Sequence, residues 1–245
     1  MRYKLTLEYD GTNFSGWQKQ PDARTVEGTV EEALSTLYQQ EIDIIGQGRT
    51  DAGVHARAQT AHVDLSDRYT SSRILHAMKG LLPEDVALLN IEIVPDDFHA
   101  RFDALSRSYR YQMINRPAPL MRRQVWQVTG HLDKALLQQC AELVLGEHDF
   151  VNFCIPSGDE YQTTICTITQ SCWKKEGDLL IYEITGNRFL RHLVRRLVGT
   201  MVKVSAGEIV IDDFKQLLLG EKTTQKGHTA PAHGLILDYI TYTAL

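Results

Sequence analysis

From Tyr3 to Tyr9 the chain reads Y-K-L-T-L-E-Y, with apolar and polar residues in strict alternation. Successive side chains of a strand point to opposite faces, so this run specifies a strand with one buried face. Such a strand needs a sheet with a covered side, which excludes an all-helical bundle. Alternating and helix-period runs then follow one another along the chain. Thr25 caps a helix predicted to about Gln40, with Val26, Val30, Ala33, Leu34 and Leu37 on one face. Ile42–Ile45, Gln59–Leu65 and Val86–Val94 read as strands, and Ser71 to about Gly80 as a helix. The later residues repeat the logic. Ser108–Ile114, Val125–Val128, Thr163–Lys174, Leu179–Thr185 and Leu235–Tyr242 read as strands. Asp133–Leu145, Asn187 to about Ser205 and Asp212–Leu219 read as helices. The class expected is α+β. It has two halves, residues 1–104 and 105–245, each with a mostly antiparallel sheet covered by helices. We expect the halves to join into one extended sheet with a central basic cleft.

Composition narrows the class further. With 245 residues, 43% of them hydrophobic, the chain can bury a sizeable core without disulfides. No apolar run approaches the roughly 18 residues that a membrane span needs, and Met1-Arg2-Tyr3-Lys4-Leu5 has no signal-peptide apolar core. A cytoplasmic protein is expected. Cys140, Cys154, Cys166 and Cys172 form no C-x-x-C pair, so neither a zinc knuckle nor a dithiol redox site is signalled. They are expected as reduced thiols packing as small hydrophobes. Phe14 and Trp17 fall in a loop, Phe14–Pro21, and read as exposed.

The net charge of −5 hides an asymmetry. Arg101–Arg123 holds six Arg and one acid, and Arg188–Lys203 holds four Arg, one Lys and no acid. Each stretch carries +5, so the rest of the chain carries −15. Such segregation suits one basic face. Arg predominates, which matches phosphate geometry better than Lys. Phe102, Tyr109, Tyr111 and Phe189 are interleaved, which suits RNA, where phosphates are paired and splayed bases stacked. At about 100° per residue, a helix from Arg188 places Phe189, Leu190, Leu193, Val194, Leu197, Val198 and Met201 on one face. Arg188, Arg191, His192, Arg195 and Arg196 take the other. A solvated Arg face and a half-buried Arg paired with a carboxylate both fit that pattern.

One segment is rich in glycine and ionisable groups: Gly46-Gln47-Gly48-Arg49-Thr50-Asp51-Ala52-Gly53-Val54-His55-Ala56. It lacks the Gly-Lys-Ser/Thr of a phosphate-binding P-loop. A plain structural turn is one reading. The other is a turn that lets backbone approach a substrate while presenting Asp51. His55 and His62 have no metal-ligand context, and no metal site is expected.

Gly48-Arg49-Thr50-Asp51-Ala52-Gly53-Val54-His55-Ala56 resembles the signature of the tRNA pseudouridine synthase A family. Four further segments are similar in the same order. They are Tyr9–Gln18 (Y-D-G-T-N-F-S-G-W-Q), Phe98–Ala104 with Tyr109-Arg110-Tyr111, Gly186–Gly199, and Thr229–Leu235. His233 departs from the pattern, where an acid or another residue is expected. The resemblance implies an isomerase that converts uridine to pseudouridine at positions 38, 39 and 40 of the tRNA anticodon arm. It needs no cofactor, metal or nucleotide, and it acts as a homodimer. Asp51 is then the catalytic nucleophile or base, Arg195 the cation that keeps it ionised, and Tyr109 the ring stacked on the target base. Arg49 is expected to hold the flipped nucleotide or fill the vacated stack. Leu235 would wall the uracil, and Arg188 and Arg191 would bind the RNA. Rival readings are a non-catalytic RNA-binding protein or chaperone on the same fold, a ribosyl or glycosyl hydrolase, and a synthase acting on other RNA sites. A hydrolase usually needs a second acid, which this loop does not supply.

Overall fold

A computed structural model of the chain describes residues 1–155, 163–220 and 227–243. The chain divides into two compact units, one of Met1–Leu105 with Ile236–Leu245, the other of Ser106–Leu235. The described residues hold ten strands and five α-helices. The class is α+β, as the alternation of strand and helix patterns requires.

The first unit is built on strands β1 (Arg2–Tyr9), β2 (Ile45–Gly46), β3 (His55–Asp64) and β4 (Val86–Val94). Between them lie helices α1 (Val26–Tyr38) and α2 (Ser71–Leu81). β1 pairs antiparallel with β3 and β4, and β2 antiparallel with β3. The C-terminal strand of the chain, Leu235–Tyr242, pairs parallel with β3, Ile236 opposite His55. The alternation in β1 does what it predicts: Tyr3, Leu5, Leu7 and Tyr9 are all buried. At roughly 2 kcal/mol for each fully buried side chain, that face anchors the sheet. Thr25 caps α1 by accepting the Gly28 N–H, and Val26, Val30, Ala33, Leu34 and Tyr38 are buried along it.

Three expectations change here. Phe14 and Trp17 are buried, at 4% and 2% exposure. The Arg24 guanidinium lies 4.0 Å over the Phe14 ring, and the Trp17 indole N–H donates to Glu27 Oε1 at 3.1 Å. β3 starts at His55, inside the glycine-rich segment, rather than at Gln59. The strand expected over Ile42–Ile45 shrinks to Ile45–Gly46, although Ile42 and Ile44 are buried.

The second unit carries β5 (Ala104–Ile114), β6 (Trp126–Gln127), β7 (Gly146–Asp149), β8 (Ile165–Glu176) and β9 (Leu179–Gly186). β5, β9, β8 and β7 pair antiparallel in that order, and β6 runs parallel to β5. The short β7 has no alternating apolar pattern, so periodicity does not reveal it. The helices are α3 (Lys134–Leu143), α4 (Leu193–Ser205) and α5 (Ile211–Leu218). The C-terminal strand described with the first unit is β10 (Leu235–Tyr242).

α4 starts at Leu193, six residues later than the pattern predicts. The backbone ahead of it already has other partners. The Asn187 N–H donates to Thr167 O, its side chain accepts the Thr167 N–H, and Arg191 O accepts the Ile155 N–H. His192 then sits at φ +67°, a left-handed conformation that no α-helix contains. Arg188 and Arg191 are therefore on an irregular lead-in, not on a helical Arg face. Within α4, Leu193, Val194, Leu197, Val198 and Met201 are buried as expected. Pro156-Ser157-Gly158-Asp159, which reads as a loop in the sequence, lies outside the described residues.

Candidate active site

The Asp51 turn is held from one side by the segment after β1. Thr50 O accepts the Trp17 N–H at 3.1 Å, and the Gly53 N–H donates to Phe14 O at 3.3 Å. The Val54 N–H closes the turn on Asp51 O at 3.1 Å. Tyr9 Oη and Thr50 Oγ1 are hydrogen-bonded at 2.8 Å in the interior. On the other side, the Gln59 side-chain amide donates to Gly48 O at 3.0 Å. Asp51 is half-buried, Arg49 exposed and Thr50 buried.

Two glycines outside the turn make this approach possible. A Cβ on Gly11 would lie 2.0 Å from Val54 O. A Cβ on Gly16 would lie 2.7 Å from Thr50 O, and Gly16 also adopts φ +98°. His55 adds a further tie. Its buried Nδ1 stands 3.0 Å from the Gly11 N–H and 3.0 Å from Asp10 Oδ1. Unprotonated, that nitrogen accepts from Gly11; protonated, it donates to Asp10. The sequence alone singles out none of Tyr9, Gly11, Gly16 or His55 for positioning. The signal was present in the quoted Y-D-G-T-N-F-S-G-W-Q segment, but a contact between two separate segments cannot be read from either alone.

In the second unit, Tyr109 lies on β5 opposite Ile184 of β9. It is half-buried, and its ring meets Phe189 edge-on at 5.0 Å between centroids. Tyr111, two residues on and on the same face of the strand, is fully buried. Its hydroxyl donates to Pro231 O at 2.8 Å, and burial pushes its pKa well above the usual phenol value. Tyr111 is a core residue, so it drops out of the interleaved aromatic set expected to meet RNA.

Arg195 is on α4, half-buried, its Nε donating to Ala230 O at 2.9 Å. The Ala230 N–H returns to Arg195 O at 3.0 Å. This reciprocal pair fixes the base of the side chain. Arg188 is half-buried and Arg191 exposed. Leu235 is buried, at the start of β10.

The basic stretches are partly structural. Arg110 Nη2 pairs with Glu176 at 2.7 Å, and Arg116 with Asp178 at 2.9 Å. Arg107 donates to Asn187 O and Arg196 to Cys154 O. The sum of charges along the sequence therefore overstates what is offered to a polyanion. The cysteines are free thiols. Burial pushes Cys140 up to about 12 and Cys166 up to about 11, so neither is a thiolate at neutral pH.

The family model described as tRNA pseudouridine synthase matches residues 6–103 and 140–243. Curated relatives named tRNA pseudouridine synthase A match nearly end to end. The one from Acetivibrio thermocellus is 39% identical, over 98% of both chains. That from Pelodictyon phaeoclathratiforme is 40% identical, over 98% of both. That from Xanthobacter autotrophicus is 39% identical, over 98% of this chain and 99% of its own. Among solved structures, a chain from a Cbf5-Nop10-Gar1 complex aligns at TM-score 0.33 and 9% identity. It covers 78% of this chain and 52% of that one, a likeness too weak to bear on the fold. With a family model spanning both units and relatives matched over nearly their whole length, this chain belongs to the tRNA pseudouridine synthase family, isomerases of tRNA uridine.

Proposed function

We propose that this protein converts uridine to pseudouridine at positions 38, 39 and 40 of the tRNA anticodon arm, with Asp51 as nucleophile or base. The observation that carries this is the Asp51 turn itself. A half-buried carboxylate sits in a turn tied at Thr50, Gly53 and Val54, with glycines where a second segment must come close. A structural turn alone has no need of that bracing. A fixed carboxylate has, because misplacement by about 1 Å costs on the order of 100-fold in rate.

The reaction balances within the substrate. The N1–C1′ bond breaks, the uracil turns, and a C5–C1′ bond forms. C5 gives up its proton and N1 gains one. Nothing is oxidised or hydrolysed, so the chemistry asks for no redox partner or activated phosphate. Attack on C1′, attack on C6 and removal of the 2′ proton are all within the chemistry of a carboxylate at Asp51.

The other roles follow the family resemblance. Arg195 is the basic residue of the active site. Tyr109 stacks on the target base, and Leu235 walls it. A uridine in a stem must leave the stack, at a cost of a few kcal/mol. Arg49 at the exposed corner of the turn offsets part of that by holding the extruded nucleotide or filling its place, and Arg188 and Arg191 contribute phosphate contacts. The protein acts as a homodimer, a state that sedimentation measures directly.

Tritium release tests the reaction. A tRNA transcript carrying tritium at uridine C5 is expected to lose up to one label per modified site to water. Free uracil in place of released tritium would identify a hydrolase instead.

A further inference from the structure

At the far end of the first unit from Asp51, a tight turn displays an aromatic ring that the core does not use. Phe102 is 74% exposed, unusual for a Phe in a turn that is otherwise firmly tied down. Every backbone N–H from His99 to Asp103 has an acceptor. The His99 N–H donates to Asp103 Oδ2 at 2.7 Å, and the Asp103 N–H to His99 O at 3.1 Å. His99 Nδ1 accepts from the Arg101 and Phe102 N–H groups at 3.1 and 3.3 Å. The turn is then moored to the sheet. The Ala100 N–H donates to His62 Nδ1, and Ala100 O accepts from Tyr242 Oη at 2.7 Å. Phe98 O accepts from Arg2 at 3.0 Å. The Phe102 ring is backed by the His99 imidazole at 4.3 Å, with the Arg101 guanidinium 5.8 Å away. This is an exposed π-face held on rigid backbone beside a cation, the arrangement on which nucleobases stack.

Its place excludes a part in the chemistry. His55 is at the Asp51 end of β3, opposite the end of β1. His62, which moors the Phe102 turn, is seven residues further along the strand. At about 3.3 Å per residue the two ends stand about 20 Å apart. A ring there cannot touch the uridine being isomerised. It can hold another part of the same RNA.

We propose that Phe102 is a remote stacking residue that takes an unstacked nucleobase of the tRNA substrate, about 20 Å from the target uridine. The inference rests on tRNA being the substrate. It assigns Phe102 to binding, not to catalysis.

The test uses the full chain and an unmodified tRNA transcript. It measures Kd by filter binding at fixed salt, kcat and KM for pseudouridine formation, and solution mass by sedimentation. Phe102→Ala is expected to raise Kd and KM about tenfold, a single stacked base's share, and to leave kcat within about twofold. Phe102→Trp is expected to restore binding, and Phe102→Leu is not. Unchanged binding by Phe102→Ala overturns the proposal. So does full rescue by Leu, which would make the contact merely apolar. A fall in solution mass that accompanies weaker binding also overturns it, in favour of a contact between copies. If the wild type makes no pseudouridine, the proposed reaction fails. The Kd comparison still decides the role of Phe102.

Discussion

At the scale of single residues, the Asp51 turn depends on side chains that are missing. Gly16 combines φ +98° with backbone 2.7 Å from where a Cβ would stand. Gly48, inside the signature itself, has nothing within 4 Å of that position. The two should therefore respond oppositely to the same substitution. Gly16→Ala is expected to cost about 2 kcal/mol or more in urea unfolding. It should also lower kcat by on the order of 100-fold, because Thr50 and Asp51 must move. Gly48→Ala should leave stability within about 0.5 kcal/mol. Equal effects would show that the close approach is not what fixes the turn. Asp51 stands out in the sequence as a candidate because a motif names it. Gly16 was not, because its constraint comes from a segment some 35 positions away. Trp17 reads as exposed for the same reason: its burial depends on Glu27 and Gly46, and nothing in its own neighbours announces that.

Elements show where periodicity suffices. β1, α1, α2 and β4 lie close to their predicted spans because each buries one face in its own rhythm. α4 shows where it fails. The apolar spacing runs smoothly through residues 187–192, yet their backbone groups bond to β8 and to Ile155 instead of to one another. Periodicity reports which side chains face inward and is silent about hydrogen-bond partners.

The join between β3 and the Phe98–Asp103 turn carries a pH dependence. Burial, with His99 and Arg2 adding to it, lowers the His62 pKa from 6.5 to about 4. Its Nδ1 accepts the Ala100 N–H and must stay unprotonated to do so. Below pH 6.5 the unfolded chain takes up a proton that the native chain refuses. Stability is thus fully present above pH 6.5 and falls as pH drops towards 4, by up to about 3 kcal/mol from this residue. His62→Asn keeps an acceptor without a titrating ring. Denaturant unfolding between pH 7 and 4 should show a shallower loss in that variant, and parallel curves would remove His62 as the cause.

For the whole molecule, the question is how a chain of net charge −5 binds a polyanion. Charge segregation was visible in the sequence, but which cations are already engaged was not. Arg110 has its charge met by Glu176, whereas Arg49 and Arg191 are exposed. Arg49→Ala and Arg191→Ala are each expected to weaken tRNA binding and to lower the slope of log Kd against log salt by about one. Arg110→Ala should leave that slope unchanged and cost about 1 kcal/mol of stability. A slope altered by Arg110→Ala and not by the other two would reverse the assignment of cations to RNA and to fold.

On the proposed function, Asp51 does chemistry in the anticodon arm. The most direct measurement is pseudouridine mapping by chemical labelling on unmodified tRNA, with the wild type, Asp51→Ala and Asp51→Asn, and with tRNA binding measured in parallel. The wild type should mark positions 38, 39 and 40, while both variants bind the tRNA and mark nothing. Pseudouridine at wild-type levels from Asp51→Asn, or a wild type that binds tRNA and forms none, would contradict it.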